Sequence, residues 1–157
     1  MLAGILTVTS QQTPAGIALR SRQLEREESA TNMKHGYLID MDGVIYRGSE
    51  PIDGAAEFIR YLQAEEIPYL FLTNNSTYTP LDVVVKLRKF AIETTAEHVY
   101  TSAMATAEFV RKQRPGGTAF VIGEGGLLTA LNEVNYAISS ESPDYVIVGE
   151  GRVLNFE

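Results

Sequence analysis

The sequence predicts an α/β fold built on a parallel sheet, and three observations carry that prediction. Tyr37-Leu38-Ile39-Asp40-Met41-Asp42-Gly43 is an apolar run of strand type that ends in two carboxylates and a glycine. Pro68-Tyr69-Leu70-Phe71-Leu72 is a second run of the same kind, and a helical pattern lies between them. After Pro115-Gly116-Gly117 the alternation of strand and helix begins afresh. Buried strands that alternate with single helices are the mark of β-α-β units, whose strands run parallel.

Residues 1–32 read differently from the rest. Leu2 to Val8 is mildly apolar, but no basic residue precedes it and no cleavage signal follows, so it does not read as a secretory leader. Arg20, Arg22 and Arg26 balance Glu25, Glu27 and Glu28, and a helix over residues 17–28 would have a thin apolar face. A disordered tail is expected, with Met33 as a candidate true start. Beyond the first strand, Asp53 is placed to cap a helix over residues 54–65, with Phe58, Ile59 and Leu62 as its stripe. Pro68 favours an extended entry into the second strand. Thr79-Pro80 forms a cap and first-turn pair for a helix that shows Leu81, Val84, Val85 and Arg88 on one face. His98 to Thr101 reads as a short third strand. Ser102 then caps a helix through Arg111 that buries Met104, Phe109 and Val110 in part. Past the Pro115-Gly116-Gly117 linker, Ala119–Ile122 reads as strand, Leu127–Val134 as helix and Tyr145–Val148 as strand.

Composition narrows the function classes. The 157 residues allow one domain, or one and part of a second. A net charge of −7 argues against a general nucleic-acid binder, which needs a basic face. No run reaches the roughly 18 apolar residues of a membrane span. The chain has no cysteine, hence no disulfide framework and no thiolate metal site, which fits a cytoplasmic protein.

The chemistry concentrates at two strand ends. Strand side chains alternate faces, so Asp40 and Asp42 aim together if the first strand persists through Asp42. In a parallel sheet the carboxyl ends of the strands border the ligand crevice. Two neighbouring carboxylates repel each other, and a cation that prefers oxygen ligands, such as Mg2+, relieves the repulsion. Asp-Gly alone is equally an ordinary turn. The second strand, however, runs into Thr73-Asn74-Asn75-Ser76, whose hydroxyls and amides suit an anion such as phosphate. Taken alone, that stretch reads as a polar loop with Asx turns. Gly123-Glu124-Gly125-Gly126 follows a strand and opens a helix, but Leu128 stands where a dinucleotide loop needs its third glycine, so it reads as a glycine-rich turn.

Asp40-Met41-Asp42-Gly43-Val44-Ile45-Tyr46-Arg47-Gly48, followed by Thr73-Asn74-Asn75-Ser76, resembles the first two motifs of the haloacid dehalogenase (HAD) superfamily, in particular its NagD-like, p-nitrophenyl-phosphatase branch. Pro51-Ile52-Asp53-Gly54-Ala55, Tyr100-Thr101-Ser102-Ala103 and Val121-Ile122-Gly123-Glu124-Gly125-Gly126-Leu127 match that branch as well. The resemblance implies a Rossmann-like, three-layer core, of which residues 33–114 are the N-terminal half, and an α/β cap domain that begins at residues 115–157. It implies a Mg2+-dependent hydrolase acting, through an aspartyl-phosphate intermediate, on the phosphate monoester of a small phosphorylated metabolite or a nucleotide monophosphate. Asp40 would be the nucleophile, Asp42 the general acid and base, and both would take part in the metal site. Gly43, through its backbone N–H, and Thr73, Asn74 and Asn75 would hold phosphate.

The chain departs from the family in two respects. The lysine of a later Gly-Lys-Pro and the aspartates around a later Gly-Asp are absent from it, since its lysines are Lys34, Lys86, Lys89 and Lys112 and Asp144 is the sole aspartate after Asp82. The expectation is therefore the N-terminal part of a longer phosphatase, with little activity as it stands and a hydrophobic sheet edge beside the Asp40 strand open to self-association. The competing reading is a non-catalytic module that keeps the fold. A phosphoacceptor receiver domain is disfavoured, because its acceptor aspartate would fall where Tyr100-Thr101-Ser102 stands. His35, His98, Tyr46, Arg47, Glu124 and Glu150 are secondary candidates, while Lys86 and Lys89 read as a solvated helix face.

Overall fold

The computed structural model describes residues 5–9 and 35–151. In chain order the elements are β1 (Ile5–Thr9), β2 (His35–Asp40), β3 (Tyr46–Arg47), β4 (Glu50–Pro51), α1 (Ala55–Ala64), β5 (Tyr69–Thr73) and α2 (Pro80–Arg88). A 3-10 turn over Ala96–His98 leads into β6 (Val99–Thr101), then α3 (Ser102–Gln113), β7 (Thr118–Ile122), α4 (Gly125–Glu133), β8 (Ala137–Ile138) and β9 (Tyr145–Val148). The expected α/β architecture is present as two sheets, ordered β1-β2-β5-β6 and β8-β7-β9, plus the β3–β4 hairpin.

Strands β2, β5 and β6 are parallel, and their register sets Asp40 beside Leu72 and Thr73 beside Thr101. The carboxyl ends of all three therefore reach one edge of the sheet. Alternation explains the anchoring: Ile39 and Phe71 are wholly buried, and Met41 beyond β2 is as well. With Ile45, Ile59, Leu62, Leu87 and Val99 they form the first core. The second core joins Ala119, Leu127, Leu131, Tyr136 and Ile147 to Ala103, Ala107 and Val110 of α3. Helix α3 thus gives its buried face to the second unit.

Several local expectations change. Ile5–Thr9, expected to lie in a disordered tail, forms β1 and pairs antiparallel with β2 from Ile5 opposite Ile39 to Thr9 opposite His35. An uncovered edge strand presents a row of unpaired N–H and C=O groups, and a short extended segment satisfies them. That same edge of β2 was expected to stand open. The remainder of residues 1–32, including the helix considered over 17–28, lies outside the described residues, as does Met33.

Helix α1 takes Gly54 as its N-cap, at φ 83°, with no side-chain cap, so Asp53 does not play the expected part. Helix α2 does carry the Thr79 cap, and as a full capping box: Thr79 Oγ1 accepts from the Asp82 N–H at 3.2 Å, and Asp82 Oδ2 accepts from the Thr79 N–H at 2.9 Å. Its buried face is Val83, Val84 and Leu87, whereas Leu81 and Val85 are exposed. Helix α3 is capped by Thr101 rather than Ser102, with Thr101 Oγ1 accepting from the Met104 N–H at 3.2 Å, and Phe109 faces solvent. In the second unit Asp144 ties the linker down: its Oδ2 accepts from the Thr118 N–H at 2.8 Å and its Oδ1 pairs with Arg114 at 3.0 Å. No helix among the described residues is long and apolar enough to cross a membrane.

Candidate active site

The site begins where β2 ends. Burial of Ile39 and Met41 turns Asp40 to the other side of the strand, half-buried, where its Oδ1 accepts from the Met41 N–H at 2.7 Å. Asp42 is exposed. The chain then reverses through Gly43, whose φ of 81° suits a residue without Cβ. The N–H groups of Ile45 and Tyr46 both close back on the Met41 carbonyl, at 2.9 and 3.2 Å. The Gly43 N–H donates to the Tyr46 carbonyl at 2.7 Å, so the turn consumes the donor that was expected to face phosphate.

Tyr46 is bridged to Asp42 through the backbone. Its phenol is pushed above the ordinary range, first by burial and then by the charges of Asp42 and Asp40, with Tyr78 adding to them.

Across the edge from Asp40 lies the loop that leaves β5. Asp40, Thr73, Asn74, Thr101 and Ser102 line a cavity of about 350 Å³. The parallel register of β2, β5 and β6 brings them together. Thr73 Oγ1 accepts from the Asn75 N–H at 3.2 Å, which leaves its own proton free for an acceptor. Ser102 Oγ donates to the Asn74 carbonyl at 2.6 Å and fixes the loop from β6. Thr101 and Ser102 escape a reading of the sequence as site residues. The available signal is that hydroxyls end the third parallel strand as they end the second.

Asn75 differs from expectation. Its Oδ1 accepts from the N–H groups of Thr77 and Tyr78 at 2.9 and 3.1 Å, and its Nδ2 donates to Glu150 Oε2 at 3.1 Å. The carboxamide is spent on holding the loop, and Asn75 is absent from the lining of the Asp40 cavity. The second unit supplies further stitches. The Glu150 N–H donates to Ser76 Oγ at 2.9 Å, and the Gly126 N–H donates to the Thr77 carbonyl at 2.8 Å. A Cβ on Gly126 would stand 2.6 Å from the Tyr78 carbonyl oxygen and 2.7 Å from that of Ser76, so the glycine-rich turn exists to permit this close approach.

The secondary candidates separate. His98 packs its ring 4.5 Å from that of Tyr69 and pairs through Nδ1 with Thr95 Oγ1 at 3.2 Å, a packing role. His35 and Arg47 are exposed, and Glu124 is the N-cap residue of α4. Lys86 is not a freely solvated side chain. It is half-buried, with its ammonium 3.5 Å from the centroid of the Tyr46 ring. Asp40 and Asp42 offer only oxygen donors, the type that fits a hard divalent cation such as Mg2+. Among the described residues no group of three or more His, Cys, Asp and Glu side chains gathers into a fuller metal cage.

The sheet thus sets an acidic residue at the end of β2 beside a hydroxyl and amide loop at the end of β5. Residues 37–137 match the model of the haloacid dehalogenase-like hydrolases, and the chain belongs to that family. It is 47% identical over 128 residues to an acid sugar phosphatase of Staphylococcus epidermidis, across 80% of this chain and 49% of that protein. Among solved structures it is similar to NagD from E. coli K-12, with 37% identity and a TM-score of 0.71 over 76% of this chain and 47% of that one. It is likewise similar to a double mutant of the thermostable NPPase from Geobacillus stearothermophilus, with 44% identity and a TM-score of 0.70 over the same shares. The chain thus spans about half the length of the relatives it matches.

Proposed function

We propose that this chain carries the nucleophile and phosphate loop of a Mg2+-dependent phosphate monoester hydrolase whose substrate is a small phosphorylated metabolite. The observation that supports this most is the cavity in which the Asp40 carboxylate meets Thr73, Asn74 and Ser102. Asp40 is placed to attack phosphorus, giving an acyl phosphate and an alcohol, so that one difficult displacement becomes two easier ones. Asp42, exposed at the same strand end, protonates the departing alkoxide and then takes a proton from the water that cleaves the acyl phosphate. Thr73 donates its hydroxyl to a phosphoryl oxygen, while Asn74 lines the same wall. Asp40 and Asp42 would hold Mg2+, which when bound offsets the charge on the phosphoryl oxygens. A cysteine-free chain suits a reducing compartment such as the cytoplasm.

The family's later lysine and metal aspartates are missing from these 157 residues. Loss of one group that stabilises transition-state charge typically costs on the order of a hundredfold or more in rate. Turnover of p-nitrophenyl phosphate with Mg2+ is therefore expected to be slow, and to vanish in Asp40→Asn. Equal Mg2+-dependent turnover by parent and Asp40→Asn would remove Asp40 as nucleophile. Phosphate binding without any turnover would instead favour a binding module.

A further inference from the structure

One peptide group at the Asp40 cavity is held at both of its ends. The Asn74 carbonyl accepts from Ser102 Oγ at 2.6 Å. The Asn75 N–H, the other half of the same peptide, donates to Thr73 Oγ1 at 3.2 Å. A planar trans peptide points its C=O and N–H in opposite directions, so a bond at one end fixes the aim of the other. Thr73, Asn74 and Ser102 line the cavity together with Asp40.

The donors in this arrangement follow one another in a single direction. Ser102 gives its proton to the Asn74 carbonyl, and a carbonyl that accepts draws electrons from its own nitrogen, which makes the Asn75 N–H the better donor. Thr73 Oγ1 has one lone pair taken by that N–H and keeps its proton for an outside acceptor. The hydroxyl at the end of the chain serves a cavity in which the Asp40 carboxylate repels a phosphate dianion, so the strength of each neutral donor matters. Ser102 itself stands on firm ground. It opens α3 between the buried residues Thr101 and Ala103, and its carbonyl accepts from Thr106 Oγ1 at 2.8 Å. It therefore belongs to the helix and not to the loop that it holds.

We propose that Ser102 is a positioning residue for phosphate, which acts through the Asn74–Asn75 peptide to orient and strengthen the Thr73 hydroxyl as a donor. The inference rests on the phosphate-ester reading above.

The test is titration of the full chain with inorganic phosphate in the presence of Mg2+, read by calorimetry and by the Asn75 amide resonance of isotope-labelled protein. Ser102→Ala is expected to weaken phosphate binding about fivefold, the worth of one net hydrogen bond. Ser102→Thr keeps the hydroxyl and should restore the affinity to within about twofold of the parent. Thr73→Val removes the end of the chain, so in that background Ser102→Ala should change the affinity by less than about twofold. A loop that is merely loosened would lose the same factor in both backgrounds. The Asn75 amide proton should move downfield when phosphate binds the parent, because a Thr73 hydroxyl that donates becomes a better acceptor, and should move less in Ser102→Ala. If Thr73→Val does not fold or binds too weakly to titrate, this response decides alone. An Asn75 amide that ignores phosphate, or that responds equally in Ser102→Ala, overturns the inference. So does a loss from Ser102→Ala that persists in Thr73→Val. A parent that binds no phosphate, or binds it unchanged in Asp40→Ala, brings down the phosphate-ester reading and this inference with it. Phosphate binding that depends on Asp40 yet is indifferent to Ser102→Ala removes the positioning role alone.

Discussion

Replacing Gly126 by alanine probes the junction between the second unit and the loop that follows β5. The new Cβ would lie 2.6 and 2.7 Å from the carbonyl oxygens of Tyr78 and Ser76. Both obstacles are backbone, so no side chain can swing aside. Relief to ordinary contact needs a retreat of roughly 0.7 Å, enough to break a good hydrogen bond such as the one between the Gly126 N–H and the Thr77 carbonyl at 2.8 Å. Overpacking costs about 1–3 kcal/mol and the lost bond about 0.5–1.5 kcal/mol, so a destabilisation of roughly 2–4 kcal/mol is expected. For a chain of this size that corresponds to a fall in Tm of about 4–16 °C. Gly125 is the matched control. It has no atom within 4 Å of a built Cβ and does not adopt a positive φ. Gly125→Ala should therefore be neutral or stabilising, by up to about 1 kcal/mol. Urea denaturation of both variants beside the parent decides the matter. A Gly126→Ala chain within about 0.5 kcal/mol of the parent would refute the reasoning, and so would equal damage from Gly125→Ala.

Three further outcomes follow from particular contacts. Asp42→Asn should bring the Tyr46 phenol down toward its ordinary pKa, though not all the way because burial remains; ultraviolet titration that leaves it unchanged would separate the two residues. Glu108 is held at a pKa of about 2, below its ordinary 4.5, by hydrogen bonds from Arg111 and Lys112. A lowered carboxylate pKa contributes stability that is present above the ordinary value and is lost as pH falls through the lowered one. Glu108→Gln should thus lower stability slightly at neutral pH, the solvent screening the pair, and make no difference at a pH below about 2; a deficit independent of pH would contradict this. Finally, removal of residues 1–9 uncovers the edge of β2 and should shift the protein toward larger species in light scattering, whereas an unchanged particle size would show that β1 protects nothing.

What the sequence conveys and what it hides divide along physical lines. Apolar runs and the Thr79-Pro80 start are local signals, and the strands and capped helix they announce are present. That the ends of β2 and β5 reach one edge was legible too, because a single helix between two strands makes them parallel, as their register shows. Faces and partners were less so. On α2, Val83 and Val85 are the same residue type two positions apart, and only the rotation imposed by the sheet below decides that Val83 is buried and Val85 exposed. Thr101 is the cap while Ser102 is drawn to the Asn74 carbonyl, a partner in the loop after β5. Asn75 carries a phosphate-loop identity in the sequence, yet its amide is claimed by Glu150, far along the chain. Long-range pairings of this kind leave no periodicity to read.

The stitches from Glu150 and Gly126 to the Asn75–Thr77 segment also constrain how the molecule breathes. Segments that share hydrogen bonds open as one cooperative unit. The amides of Gly126 and Glu150 are bonded to Thr77 and Ser76, so solvent cannot reach them by local opening without the loop after β5 coming loose as well. The second sheet and the loop after β5 are thereby coupled in their opening, so slow amide exchange at Gly126 and Glu150 should track that of the loop.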